Sequence, residues 1–146
     1  GPGLDGTSAA GVNLPYDDRV SFTYQPASGL YLRANRGRPH TDLDGRPFGA
    51  AVVVAIGVPV TILDKVGRLR LDFSAADPAV VYQAGISHAG FWPGGAGRVA
   101  QVLDAAGNPL PLAVGTRWFA LVSSAVKVQP EAAPEIEPVN RLVLLE

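Results

Sequence analysis

Val20-Ser21-Phe22-Thr23-Tyr24-Gln25-Pro26-Ala27-Ser28-Gly29-Leu30-Tyr31-Leu32-Arg33-Ala34 reads as a β-hairpin. Val20, Phe22 and Tyr24 alternate with Ser21 and Thr23, the period of two that turns one face of a strand inward. Gln25 to Gly29 supplies the turn, because Pro26 presets φ and Gly29 accepts a positive one. Leu30 to Ala34 is then the returning strand.

The same grammar continues outward. Ala50 to Ile56 is rich in β-branched residues and apolar at both parities, which predicts a central strand covered on both faces. Val60 to Leu63 continues past a bend at Gly57-Val58-Pro59. Arg68 to Phe73 alternates strictly, with Leu69, Leu71 and Phe73 turned inward. Asp77-Pro78 is expected as a turn and Val80 to Gln83 as a short strand. Gly85 to Gly97 holds five glycines and one proline around Phe91-Trp92, and Gly94 to Gly97 within it reads as a flexible loop. Val99 to Leu103 and Leu110 to Leu112 are expected as a second hairpin, turning over Ala105-Ala106-Gly107-Asn108. Arg117 to Ser123 adds a strand, and Val12 to Leu14 a short one at an edge. There is no amphipathic helix and no repeat at a fixed period. The fold class is all-β: a compact antiparallel or mixed β-sandwich or partly open barrel with one long polar loop.

Composition bounds the function. The 146 residues suit one domain, and a hydrophobic fraction of 47% argues against disorder. A net charge of -1 with 17% charged residues gives no nucleic-acid footprint and no polybasic membrane signature. The absence of cysteine excludes disulfides, thiolate metal sites and cysteine nucleophiles. Residues 1–10 read as a flexible lead-in, and Gly1-Pro2 resembles the scar of a cleaved tag. Residues 11–128 form a single β domain. Residues 129–146 read as a Pro/Glu-rich linker with a terminal strand over Asn140 to Leu145. The chain reads as an excised domain, from which any signal peptide, lipid-attachment cysteine or partner domain would have been lost.

The densest polar cluster is Arg33, Arg36, Arg38, His40, Asp42 and Asp44, between Asn35 and Phe48 and just before them. One reading makes His40 a general base oriented by Asp42, with Arg33 or Arg38 holding an anionic group. Another makes His40, Asp42 and Asp44 ligands to a divalent ion. The structural reading outweighs both: Asp and His pin loops by bonding backbone groups, and surface ion pairs contribute only about 0–1 kcal/mol. The expectation is therefore no catalytic residue, no metal and no cofactor, with Arg33, Arg38, His40, Asp42 and Trp92 as the candidate ligand-binding residues. Trp92, between Gly90-Phe91 and Pro93, is expected to be exposed, and Phe22, Phe73 and Trp118 to lie in the core. No serine sits in a nucleophile elbow, and Gly94 to Gly97 lacks the Lys-Ser/Thr pair of a phosphate loop. All four glutamates lie at or after Glu131, so an acid pair for glycoside cleavage is unsupported.

One ordered set of residues carries a family resemblance. It runs through Phe22 and Tyr24, Tyr31 and Arg33, Gly37, Pro39-His40, Asp42 and Gly45, then Val52-Val53-Val54. It continues with Ile62-Leu63-Asp64, Val66-Gly67-Arg68, Trp92, the turn from Leu103-Asp104 to Gly107, Leu110 to Leu112, and Gly115-Thr116 before Trp118. This order is similar to the C-terminal domain of the YerB-type lipoproteins and covers roughly Val12 to Ser123. The resemblance implies a bacterial, extracytoplasmic domain of the cell envelope, with the lipid anchor and a separate N-terminal domain outside this chain. It also implies a link to peptidoglycan synthesis through protein partners, and it brings no catalytic residues. The function expected is a non-catalytic binding or scaffolding domain contacting an envelope protein partner or cell-wall glycan. The alternatives are a cell-wall hydrolase centred on His40 and Asp42, and a structural spacer.

Overall fold

The computed structural model describes residues 6–14, 19–65, 69–71, 76–94, 101–123 and 129–130. Among them there is no helix. The strands are β1 (Thr7–Ser8), β2 (Gly11–Asn13), β3 (Val20–Gln25), β4 (Leu30–Asn35), β5 (Arg38–Pro39), β6 (Gly49–Ala50), β7 (Val52–Val58), β8 (Val60–Ile62), β9 (Leu69–Leu71), β10 (Asp77–Gln83), β11 (Ile86–Trp92), β12 (Arg117–Ser123) and β13 (Gln129–Pro130). One sheet runs β1-β11-β10-β7-β12 and the other β13-β2-β3-β4-β5, with β6 also on β4; β8 and β9 pair by themselves. Neither main sheet closes on itself, so the all-β expectation holds in its sandwich form.

The alternation of the hairpin is realised as read. Val20 and Phe22 are buried, and β3 pairs with β4 from Val20↔Asn35 to Gln25↔Leu30. Val20, Phe22 and Tyr31 meet Val53, Ala55, Tyr82, Ala120 and Val122 between the two sheets. The other parity of β7 points away from that interface. Val52, Val54, Ile56 and Val58 pack with Ala79, Val81, Trp92, Val102 and Leu110 on the far face of the same sheet. β7 is apolar on both faces because it lies between β10 and β12 and under two layers. Each fully buried Val or Ile there contributes about 1.5–3 kcal/mol.

The far face is covered by the segment 101–113, which makes the expected turn over 105–108 between two short antiparallel arms, with Val99 and Ala100 outside the described residues. Leu103 makes single bridges to Phe91 and Pro109, and no strand forms over 110–112. Its backbone instead runs across the sheet while Val102 and Leu110 fill the core. Gln83 fixes it there: its side-chain amide donates to the Pro111 carbonyl at 2.9 Å and accepts from the Ala113 N–H at 2.9 Å.

Three further expectations are corrected. Ile86–Trp92, to which sequence assigns no strand, is a full strand joined to β10 through Ala84 and Gly85, whose positive φ values of 51° and 73° suit a two-residue hairpin turn. Asp77-Pro78 is not a turn but the start of β10; pairing with β7 begins only at Ala79↔Ile56, so the missing Pro78 N–H costs no bond on that side. The lead-in reaches the sheet, since Thr7 and Ser8 pair with Ser87 and Ile86. Gln129–Pro130 likewise pairs with β2. Phe73 and the strand expected over 140–145 lie outside the described residues.

Two tyrosines in the intersheet core make stability sensitive to base. Burial pushes the Tyr31 hydroxyl up from 10.0 to about 12, and burial raises that of Tyr82 as well. Both rings favour the neutral phenol when folded. Their contribution is therefore intact below pH 10 and is lost as pH rises from 10 towards 12. The Tyr82 hydroxyl is buried with no hydrogen-bond partner. Tyr82→Phe should thus raise the thermal midpoint, by roughly 3 °C for about 1 kcal/mol, and weaken the alkaline transition. Circular-dichroism melts from neutral pH to about pH 11.5, reaching well into that window, measure both effects. A Tyr82→Phe variant less stable than wild type at neutral pH would refute the first.

Candidate functional site

The long polar loop is an arm whose two ends pair alongside β4. Ala34 pairs with Pro39, and Leu32 with Gly49, so β5 and β6 continue one line alongside β4. Between them residues 40–48 leave that line as a small antiparallel projection. Arg33 holds both roots: the His40 N–H donates to its carbonyl at 2.9 Å, and its N–H donates to the Phe48 carbonyl at 3.0 Å. The Phe48 N–H closes the base on the His40 carbonyl at 2.7 Å, and Thr41 bridges Pro47 above it.

The tip is an Asx turn. Asp42 Oδ1 accepts from the Asp44 N–H at 2.9 Å and the Arg46 N–H at 2.8 Å, and Gly45 takes φ 77°. Leu43 at its summit is fully exposed.

Side chains at the root form an aromatic and cationic stack. His40 lies on Phe48 with centroids 5.5 Å apart and rings 24° from parallel. Phe48 meets Trp118 edge-on at 5.3 Å, and Trp118 meets Phe22 at 6.1 Å. The Arg33 guanidinium sits 5.0 Å over the Trp118 ring, and its Nη1 lies 2.6 Å from His40 Nδ1. A guanidinium can only donate, so Nδ1 accepts and the neutral imidazole carries its hydrogen on Nε2.

The predicted residues therefore divide. Arg33 and His40 are brought together. Arg38 is exposed at the foot of the arm, in β5. Asp42 is on the arm, but its carboxylate is engaged by the turn, and no hydrogen bond joins it to His40. Trp92 is elsewhere and is not exposed: it is 8% accessible, packed in the far-face core. Its place in β11 explains this, since His88, Gly90 and Trp92 share the buried parity and Phe91 takes the open one. No group of three His, Asp or Glu side chains able to hold a metal occurs among the described residues. Sequence reasoning did not single out Phe48 or Arg46. The pairing Thr41↔Pro47 sets Phe48 across from His40 and Arg46 across from Asp42.

Residues 12–119 match the model of a family described as the C-terminal domain of a protein of unknown function, DUF3048. No curated protein sequence matches the chain. Among solved structures, the YerB protein from Bacillus subtilis is similar, with a TM-score of 0.69 and 21% identity over 82% of this chain. The match spans 42% of the YerB chain, so that protein is much the longer.

Proposed function

This chain belongs to the DUF3048 C-terminal domain family, and from that premise we propose that it is a non-catalytic binding or scaffolding module of an exported envelope lipoprotein. The lipid anchor belongs to a part of the protein outside this chain. The contact surface is the arm 38–48, and the ligand is cell-wall glycan or a protein held on it.

One observation carries the non-catalytic reading. Turnover by His40 and Asp42 needs the carboxylate to orient the imidazole and the imidazole to offer a lone pair. Asp42 Oδ1 instead accepts two backbone N–H groups, and His40 Nδ1 faces Arg33. What the arm offers is a preorganised, exposed projection, which lowers the ordering cost of recognition.

The test is sedimentation with insoluble peptidoglycan sacculi, taken before and after removal of their bound proteins. Retention without release of soluble fragments is expected. The variant Leu43→Ala, Asp44→Ala, Arg46→Asn should keep the turn and lose retention. Retention on both preparations assigns glycan, and retention on the untreated one alone assigns a protein. Fragment release abolished by His40→Gln overturns the reading in favour of a hydrolase. No retention on either preparation leaves a spacer and overturns it equally.

A further inference from the structure

The turn that tips the arm occurs twice. Asp42-Leu43-Asp44-Gly45-Arg46-Pro47 and Asp104-Ala105-Ala106-Gly107-Asn108-Pro109 share Asp, Gly and Pro at the same places. Their hydrogen bonds correspond one for one. The Asp104 N–H donates to the Asn108 carbonyl at 2.8 Å, as Asp42 does to Arg46 at 2.9 Å, and Gly107 and Gly45 each donate to their Asp carbonyl at 3.0 Å. Asp104 Oδ1 accepts from Ala106 and Asn108 at 2.9 and 2.8 Å, the distances found at Asp42. Below the turns, Leu110 donates to the Val102 carbonyl at 2.8 Å as Phe48 donates to that of His40 at 2.7 Å.

The surroundings repeat too. Each arm follows an antiparallel hairpin, β3–β4 or β10–β11, and bonds to its second strand, through Arg33 in one case and Phe91 in the other. Each precedes one member of the parallel pair β7 and β12. The domain thus contains two copies of one unit: hairpin, arm, strand.

Two copies of one frame separate scaffold from recognition. The shared Asp, Gly and Pro build the turn and need no other purpose. In sequence the second copy carries Ala100, Val102, Asn108 and Leu110 where the first carries Arg38, His40, Arg46 and Phe48. Val102 and Leu110 are buried against the sheet, whereas His40 is only partly covered and Arg38 and Arg46 are exposed. Alternation along the arm sets Arg38, His40 and Asp42 on one face, and the Thr41↔Pro47 pairing adds Arg46 to it; Asp42 Oδ1 there is turned onto the Asp44 and Arg46 N–H groups. Neither Arg38 nor Arg46 forms an ion pair with a described carboxylate.

We propose that the first arm recognises an anionic group, carboxylate or phosphate. Arg38 and Arg46 supply the charge-assisted hydrogen bonds, and His40 Nε2–H supplies a third donor. The second arm has kept the frame and become core. This deepens the binding reading above and rests on it.

The test titrates the chain with polyglutamate and with polyphosphate, followed by two-dimensional amide NMR. Shifts should concentrate at residues 38–48, weaken as salt is added, and identify the source by which polymer binds more tightly. Arg38→Gln with Arg46→Gln should weaken binding about tenfold, as expected for losing charged hydrogen bonds at a partly solvated site. Arg38→Lys with Arg46→Lys should restore much of it, and Asn108→Ala should change nothing. Binding by neither polymer, shifts centred elsewhere, or a Gln variant that binds like wild type overturns the proposal. If polyanions fail while the sacculus experiment still shows arm-dependent retention, the anion chemistry falls and the binding reading stands.

Discussion

Gly90→Ala should destabilise the domain by about 3 kcal/mol, lowering its thermal midpoint by roughly 10 °C. Phe91 and Leu103 exchange two backbone hydrogen bonds of 2.8 Å, which draws the covering segment hard onto β11 beside Gly90. A Cβ at position 90 would fall inside van der Waals contact of the Leu103 carbonyl oxygen, and only 3.1 Å from both Leu110 Cδ1 and Val102 Cγ1. The side-chain atoms could move; the carbonyl cannot without giving up its bond to the Phe91 N–H. The loss is a large share of the marginal stability of a domain this size, on the order of 7–20 kcal/mol. Denaturant unfolding monitored by tryptophan fluorescence measures it, because Trp92 lies in the core that would open. A variant within 0.5 kcal/mol of wild type (about the noise of a neutral surface change) would mean the cover is not held as described.

The second large effect is expected at Gln83, the other fastening of the same cover. Gln83→Ala removes one donor and one acceptor together, leaving the Pro111 carbonyl and the Ala113 N–H without their partner. Orphaning two partly buried backbone groups should cost about 2–3 kcal/mol. Gln83→Glu should be nearly as harmful. It keeps an acceptor for Ala113 but sets a carboxylate oxygen against the Pro111 carbonyl. Hydrogen exchange separates this from a general loss of packing, since the Ala113 amide should lose protection first in both variants. If Ala113 exchanges no faster than the β7 amides, Gln83 is not the fastening. Gln83→Ala and Gly90→Ala act on one segment, so their effects should not add.

Where sequence was informative, local physics and burial agreed. Val52 to Ile56 is apolar at both parities because both faces of β7 are covered, and in an all-β chain an apolar run of this length is the mark of a strand buried on two sides. The β3–β4 hairpin was legible from alternation and a Pro/Gly turn alone. β11 was not, because Gly85 and Gly90 punctuate its sequence like a loop. Gly90 is glycine for a different reason, the approach of another backbone, which depends on where residues 101–113 pass. Trp92 failed with it: parity along β11 gives its direction only once that strand is recognised and the far face is known to be covered.

At the candidate site, the sequence singled out Arg33, Arg38, His40 and Asp42; the last three lie on the arm, and Arg33 lies in β4 at its root. Sequence did not distinguish their roles. Asp42 belongs to a turn whose twin at Asp104 sits in plain view as Asp-x-x-Gly-x-Pro, yet a motif that recurs once has no period and escaped notice as a repeat. Phe48 and Trp118 join His40 and Arg33 only through tertiary packing, far apart in the chain.

The parallel pairing of β7 with β12 also fixes when the molecule can be completed. Val54 finds its partner on that flank only at Phe119. A chain emerging from the ribosome therefore carries Val-Val-Val-Ala-Ile-Gly-Val with one open edge until Arg117–Ser123 has followed it. Long-range parallel registration of this kind is slow to nucleate, and an apolar strand waiting half-paired is what folding helpers shield from neighbouring copies.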